Sequence, residues 1–276
     1  MPAISQICAF LEEFAPCHLA EEWDNVGLLI GDQAAKAERM MTCLTVTPAS
    51  AAEAIERGAD LIVTHHPFPF RAIKRFTRDT PEGAMLLDLI AAGVGVYSPH
   101  TAFDSASAGI NQQFALGLRL TDVRPLIEKP AAEVDGAEVE GAIEQAPRLG
   151  TGRHGKLESP TTLAEVIARL KAFLQLDHAK FVGDASREVR HVAIACGSAG
   201  EFLTTAQDVG ADCFITGETS FHTCLAAEAS ETAMILTGHF ASERFAVVEL
   251  ARILGDEFAD VEVWASEREC DPLRLA

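Results

Sequence analysis

Two stretches of this chain follow one plan, and that repetition limits the fold more than any other feature. "CLTVTPASAAEAIERGADLIVTHHPF" (residues 43–68) and "VAIACGSAGEFLTTAQDVGADCFITGETSF" (192–221) each read as strand, helix, Gly-Ala-Asp, strand and polar exit. The likeness runs on through a further helix and strand, ending in "YSPHTAFD" (97–104) and "LTGHFASE" (236–243). Thr64-His65-His66 falls where Thr216-Gly217-Glu218 falls, His100 falls on His239, and Asp104 falls on Glu243. Few identities carry this weak internal repeat, but strands alternating with helical segments predict parallel pairing, and a unit used twice predicts two similar α/β halves.

The segments fill in that plan. "MMTCLTV" reads as a strand and Pro48–Arg57 as a helix opened by proline and closed at Gly58. "DLIVTHH" reads as a strand, Glu82–Ala92 as a helix, "GVGVYSPH" as a strand and Ser107–Leu116 as a helix. Between the copies, "AAEVDGAEVEGAIEQAPRLGTGRHGKLESP" (131–160) is acidic, alternating and glycine-rich, which suits antiparallel edge strands and turns. "TTLAEVIARLKAFL" is a helix with Thr161 or Thr162 as N-cap and Glu165 placed for a capping box. We therefore expect a first domain over 1–125 plus 232–276 and a second over 126–231.

Charge narrows the partners. The formal net charge of −19 and a pI near 4.8 oppose phosphate backbones and anionic membrane surfaces, so neither nucleic acid nor membrane is expected as a direct partner. Small anionic substrates are repelled as well unless bound cations reverse the local field. The first 25 residues have no basic leader and space their apolar residues as on a helix face, and no apolar run is long enough for a bilayer. The seven cysteines include no C-x-x-C pair, and Cys43, Cys196 and Cys213 lie in apolar runs as small hydrophobes, so a reducing cytoplasm is the expected location.

Strand ends are where the chemistry gathers. His65, His66, His100 and His239 all follow predicted strands at their carboxyl ends, where α/β sheets build their sites. Adjacent side chains of a regular strand point to opposite faces, so His65 and His66 could not share a site while the strand continued, but Pro67 stops regular pairing there. Two imidazoles at a strand end can serve two neighbouring ions, and Asp104 and Glu243 supply carboxylates able to bridge them. A mixed histidine and carboxylate set suits two divalent transition-metal ions, Zn, Fe, Mn, Ni or Co, rather than Ca. Such ions about 3.5–4 Å apart activate a water and clamp an oxygen anion. His18, His154, His178 and His191 read as ordinary polar residues, and His222 stands between the two classes. "GSAGEF" (197–202) reads as a glycine turn into a helix, without Walker or dinucleotide spacing, and "WDNVGLLIGD" (23–32) indicates a turn and a buried strand.

Together, "EEWDNVGLLIGD", "THHPFPF", "SPHTAFD", "GTGRHGKL", "GSAGEF", "ITGE" and "GHFASER" resemble the NIF-three-like family of dinuclear-metal, ring-forming proteins, often labelled GTP cyclohydrolase I type-two homologs. The motifs run in the family's order from Glu21 to Arg244. The resemblance implies metal ligands at His65, His66, Asp104, His239 and Glu243, with the carboxylates as bridges and His100 beside the site. It also implies a C-terminal segment returning to the first half and a homohexameric toroid with its metals facing a cavity. The chain departs from the family in reading Gly-Ser-Ala-Gly where Gly-Ser-Gly-Gly is usual, and it is short between residues 130 and 185, where some members carry an inserted domain. Three function classes stand open: a metal-dependent hydrolase of a small nucleotide-like or phosphorylated substrate, with His100 or Glu218 moving the proton; a metal carrier; and a ring-forming scaffold.

Overall fold

The structure is a computed structural model and describes residues 1–130 and 148–274. In chain order the first part forms α1 (Ile4–Phe14), β1 (Gly27–Ile30), β2 (Arg39–Cys43), α2 (Pro48–Glu56), β3 (Leu61–Thr64), α3 (Pro81–Ala92), β4 (Gly95–Ser98) and α4 (His100–Ser105). Next come α5 (Ile110–Gly117), β5 (Thr121–Arg124), β6 (Ile127–Glu128), β7 (Gly150–Thr151), β8 (Arg153–Thr162), α6 (Leu163–Leu174), β9 (Lys180–Val182) and β10 (Glu188–Ala195). The chain closes with α7 (Leu203–Asp208), β11 (Cys213–Thr216), α8 (Phe221–Ala229), β12 (Ala233–Leu236), α9 (His239–Glu257) and β13 (Glu262–Ala265).

Two compact units result, Met1–Phe103 with Arg244–Ala276, and Asp104–Glu243. The chain passes between them inside α4 and inside α9, whereas the sequence places its domain limits at 125 and 232. The physical reason lies in pairing: β5 joins β8 in the second unit's sheet and β12 joins β11, so residues 104–125 and 232–243 belong with those strands. Of the acidic stretch 131–160, residues 131–147 lie outside the described residues; from Arg153 onward it forms β8, antiparallel to both β5 and β10, as its alternation predicts.

The first unit carries a five-stranded sheet in the order β1-β4-β3-β2-β13. β4, β3, β2 and β13 run parallel, and β1 closes one edge antiparallel. Every residue of β3 is buried, as a parallel strand covered on both faces requires, so its run Leu61–Thr64 is apolar up to a terminal threonine. The helices between these strands start where local chemistry tells them to. Thr47 Oγ1 accepts from Ser50 N ahead of Pro48 in α2, Thr80 Oγ1 accepts from Gly83 N ahead of Pro81 in α3, and α3 stops at left-handed Gly93.

The second unit's sheet runs β5-β8-β10-β11-β12-β9. Its parallel centre, β10-β11-β12, is connected through α7 and α8 as β2-β3-β4 are through α2 and α3, so the repeat read from sequence is a repeat of topology. Each unit has its own core, around Met41, Ile62 and Val96 in the first and Ala193, Phe214 and Met234 in the second. Thr162 caps α6 through Glu165 N.

Two buried ions hold segments distant in sequence. In the second unit Arg153 is fully buried and donates to the carbonyls of Gly150, Gly152 and Ala106 and to Gln112 Oε1, at 2.6–2.8 Å. No carboxylate is among these acceptors; desolvation brings its pKa down to about 10, and oriented dipoles hold the charge. The Ala106 carbonyl lies just beyond α4, so this arginine ties the β7–β8 turn to the helix that carries Asp104. In the first unit Glu53 of α2 is buried and accepts from Ser266 Oγ, the Glu267 and Arg268 amides and Trp264 Nε1, fastening β13 and the residues after it to the first sheet.

Burial raises the Glu53 pKa, but these donors more than offset it and leave the carboxyl below its ordinary 4.5. A depressed folded-state pKa contributes stability that is complete above the ordinary glutamate range and is lost as pH falls through the folded value. Glu53→Gln, which leaves buried donors facing an amide, should cost roughly 2–4 kcal/mol near neutrality by chemical denaturation. The gap from the parent protein should narrow as pH drops below about 4.5, and a gap independent of pH would contradict the role given to this carboxylate.

Candidate metal centre

In the first unit, three imidazoles converge. β3 ends at Thr64, so His65 and His66 stand beyond the regular strand, although their amides still bond the Cys43 and Leu44 carbonyls at 3.0 and 2.9 Å. Ligand atoms of His65, His66 and His100 all lie within 4.8 Å of one another. The ring centroids are 5.0 Å apart for His65 and His66, 5.2 Å for His65 and His100, and 5.7 Å for His66 and His100. Release from the pleat at Pro67 thus lets adjacent histidines share one site.

His100 is held at a cost. Its φ of 27° is in the left-handed region, a conformation worth roughly 1–3 kcal/mol of strain in a residue with a side chain. Asp24, from the turn before β1, clamps it: Oδ1 bonds His100 Nδ1 at 2.8 Å, while Oδ2 accepts from the Thr101 amide and hydroxyl at the start of α4. Burial pushes the Asp24 pKa up, but the bonds from His100 and Thr101 and the imidazole charge outweigh it, leaving the carboxyl at about 2. An ionised carboxylate only accepts, so Nδ1 of His100 is the donor and Nε2 faces the other rings' site. Thr45 Oγ1 shares a hydrogen bond with His66 Nδ1 at 2.7 Å.

The second unit builds an acidic counterpart. His239 opens α9, with Glu243 one helical turn later: His239 Nε2 is 3.1 Å from Glu243 Oε2, and Nδ1 is 2.9 Å from Glu218 Oε1. The hydrogen bond to Glu243, together with both carboxylate charges and the Glu218 bond, outweighs burial and lifts the His239 pKa to about 9. Burial, then Glu243 and then Asp104, push the Cys196 thiol well above its ordinary value, so it stays neutral. Gly197 has φ +69°, and a Cβ there would meet Glu243 Oε1 at 2.3 Å; a Cβ on Gly217 would meet the Gly197 carbonyl and Ser242 Oγ, both at 2.6 Å. Gly197 thus makes room for the Glu243 carboxylate and Gly217 for the Gly197 backbone and Ser242, so the first glycine of "GSAGEF" has a reason that involves no bound anion. The turn continues as Gly200–Phe202 in 3-10 form and then α7.

The donor set fits a divalent transition metal. His66, His100 and His239 each have Nδ1 engaged by Thr45, Asp24 and Glu218 respectively, so Nε2 is the ring nitrogen not bound to these partners, the arrangement that metal-binding histidines use. Three imidazoles gathered in the first unit are ligands that borderline cations accept. The structure thus gathers His65, His66 and His100 in the first unit, and His239, Glu243 and Glu218 in the second. Sequence reading left His100 out of the ligand set, and its ring stands with the paired histidines. It also missed Asp24 and Thr45. "EEWDN" looked like a turn, and only the bond across 76 residues shows its purpose. The other histidines lie apart. His154 and His191 bond each other at 2.8 Å and His191 donates Nδ1–H to the Gly210 carbonyl, while His18, His178 and His222 are exposed.

The sequence matches the Duf34/NIF3 (NGG1p interacting factor 3) family over residues 2–272, and the chain belongs to that family. It is 33% identical over 278 residues to the GTP cyclohydrolase 1 type 2 homolog of Clostridium acetobutylicum, covering 99% of this chain and 98% of that one. It is 31% identical over 268 residues to NIF3-like protein 1 of Drosophila melanogaster, covering 95% and 86%. Among solved structures, the Bacillus cereus protein related to NIF3 superposes with a TM-score of 0.88 over 100% of this chain and 99% of that one, at 22% identity, a likeness of fold. Staphylococcus aureus protein SA1388 superposes at 0.87 over 99% of both chains, at 26% identity.

Glu218→Gln and Asp24→Asn, which keep size and remove charge behind a histidine, should each weaken Zn or Co binding about 10–100-fold by competition titration. Gly197→Ala should do the same by displacing Glu243, with far-UV circular dichroism unchanged. Unaltered affinity in all three would remove these groups from the metal's surroundings.

Proposed function

We propose that His65 and His66, with Asp104, His239 and Glu243, hold two divalent transition-metal ions and that the protein is a metal-dependent hydrolase of a small phosphorylated or nucleotide-like substrate. The observation that carries this reading is the convergence of His65, His66 and His100 on one site, with Nδ1 of His66 and His100 already fixed by Thr45 and Asp24. The reason for including the carboxylates is electrostatic. Neutral imidazoles cannot offset two dications, whereas Asp104 and Glu243 bring negative charge and can bridge.

When bound, the ions supply a water acidic enough to ionise near neutrality and a clamp for an oxygen anion. The chain's own residues supply the rest. His100, its Nδ1–H directed to an ionised Asp24, has Nε2 available to take and return a proton, and the pairing keeps the imidazole in one tautomer. Glu218 orients His239 rather than acting alone, since its carboxylate is bonded to Nδ1. The bonds from Asp24 hold that ring beside His65 and His66 against the backbone strain at His100. The name of the Clostridium acetobutylicum relative extends the proposal to a cyclohydrolase-type addition of water to a guanine nucleotide, and the family resemblance extends it to a homohexamer in the cytoplasm.

Elemental analysis of protein purified without an affinity tag tests the centre. About two transition-metal ions per chain are expected. The double variant His65→Ala, His66→Ala should lose them, and Asp104→Ala or Glu243→Ala alone should lose both because a bridge serves both ions. His154→Ala should keep the full complement. Retention of two ions in either bridge variant would overturn the ligand assignment.

A further inference from the structure

We infer that Trp23 and the segment from Phe68 to Arg78 form the recognition rim for a phosphate-bearing aromatic heterocycle, a nucleotide in chemical class, beside the histidine cluster. This deepens the hydrolase reading by naming the residues that receive its substrate and rests on that reading only for what becomes of the ligand after it binds.

Two features of the first unit meet here. The first is aromatic. Trp23 and Phe70 stack edgewise on the His100 ring, with centroids 5.9 and 6.1 Å away and interplanar angles of 75° and 79°. Both stand nearly upright on a ring of the candidate centre, yet Trp23 is 67% and Phe70 55% exposed. Large rings kept in water beside a polar site leave free π-faces, and a flat heterocycle covers such faces at a gain that does not depend on matching hydrogen bonds. Phe76, 60% exposed, adds a third ring on the same segment.

The second feature is charge. "PFPFRAIKRFTRDTP" (67–81) places Arg71, Lys74, Arg75 and Arg78 within eight residues, four of the chain's 22 basic residues in a protein with 41 acidic ones. Arg78 pairs with Asp88 at 2.6 Å. Arg71, Lys74 and Arg75 are exposed, and none of them takes part in an ion pair among the described residues. Cations alternating with aromatic rings next to a proposed hydrolytic centre match a ligand with a ring to stack and a phosphate to neutralise. The whole-chain charge, which set nucleic acid and small anions aside in the sequence, averaged this run away.

The test uses the intact protein, whose two tryptophans are exposed Trp23 and buried Trp264. Guanosine 5′-monophosphate should quench the emission saturably. Trp23→Leu should abolish that quenching and weaken binding in equilibrium dialysis by roughly five- to hundredfold. Lys74→Ala with Arg75→Ala should weaken the monophosphate while leaving guanosine unchanged, and ribose 5-phosphate should bind without regard to Trp23. Tighter binding of a short oligothymidylate than of the mononucleotide would assign the ligand to a single strand, and the reverse to a free nucleotide. No binding of the monophosphate, equal binding in parent and variants, or a Trp23 variant that alters only oligomer mass would overturn the inference. Metal content in the same samples separates the two ideas: two ions with no nucleotide bound sinks this one alone, and nucleotide bound to a metal-free protein sinks the metal centre alone.

Discussion

Parallel strand pairing is the constraint on which both units depend. Strands that run parallel bring their carboxyl ends to one edge, and every connection must leave that edge through a turn and return by a helix. In the first unit the exits of β3 and β4 deliver His65, His66 and His100 to that edge; in the second the exits of β10, β11 and β12 deliver Gly197, Gly217 with Glu218, and His239. Placing histidines by topology rather than by flexible loops has a consequence for chemistry: their backbone positions are set by cores such as Met41, Ile62 and Val96, far less yielding than surface turns.

What topology places, polar neighbours then aim. His66 and His100 each bond through Nδ1 to a group that sequence distance had concealed, and His239 bonds through Nδ1 to Glu218. The same economy recurs at larger scale, where one buried ion organises several segments. Arg153 binds three carbonyls and a glutamine, and Glu53 binds donors more than 200 residues away. Such ions are expensive to bury and become destabilising once a partner is lost, so they tie position to chemistry: a segment that drifts leaves a charge unsatisfied.

The legible part of the fold was whatever repeated or punctuated the chain. Proline at the start of α2 and α3, threonine caps and the strand runs located elements to within a few residues, and the duplicated His-x-x-x-carboxylate pattern singled out His100 and His239 at strand exits. The rest was illegible for a physical reason. Asp24 serves His100 across 76 residues and Thr45 serves His66 across 21, and single aspartates and threonines in turns carry no local signature of such a task. Gly197 looked like part of a turn or an anion cradle, because a glycine in sequence does not say which atom needs the space; here it is a carboxylate oxygen 2.3 Å from where a Cβ would be. The domain limits read from sequence differ from those of the two compact units for a related reason, since the α4 and α9 helices each continue from one unit into the other without a compositional break.

Net charge shows how a global property can mislead about a site. A formal charge of −19 describes the field far from the protein, but at physiological ionic strength exposed charges are screened over about 8 Å. A ligand at the histidine cluster therefore responds to charges within that distance, and the recognition rim proposed above counts among them the run from Arg71 to Arg78, which follows the paired histidines in sequence. The remaining acidic surface then acts on selectivity rather than on affinity. It disfavours long polyanions lying across the protein more than a compact one reaching the rim, so the same composition that opposes extended nucleic acid leaves room for a mononucleotide.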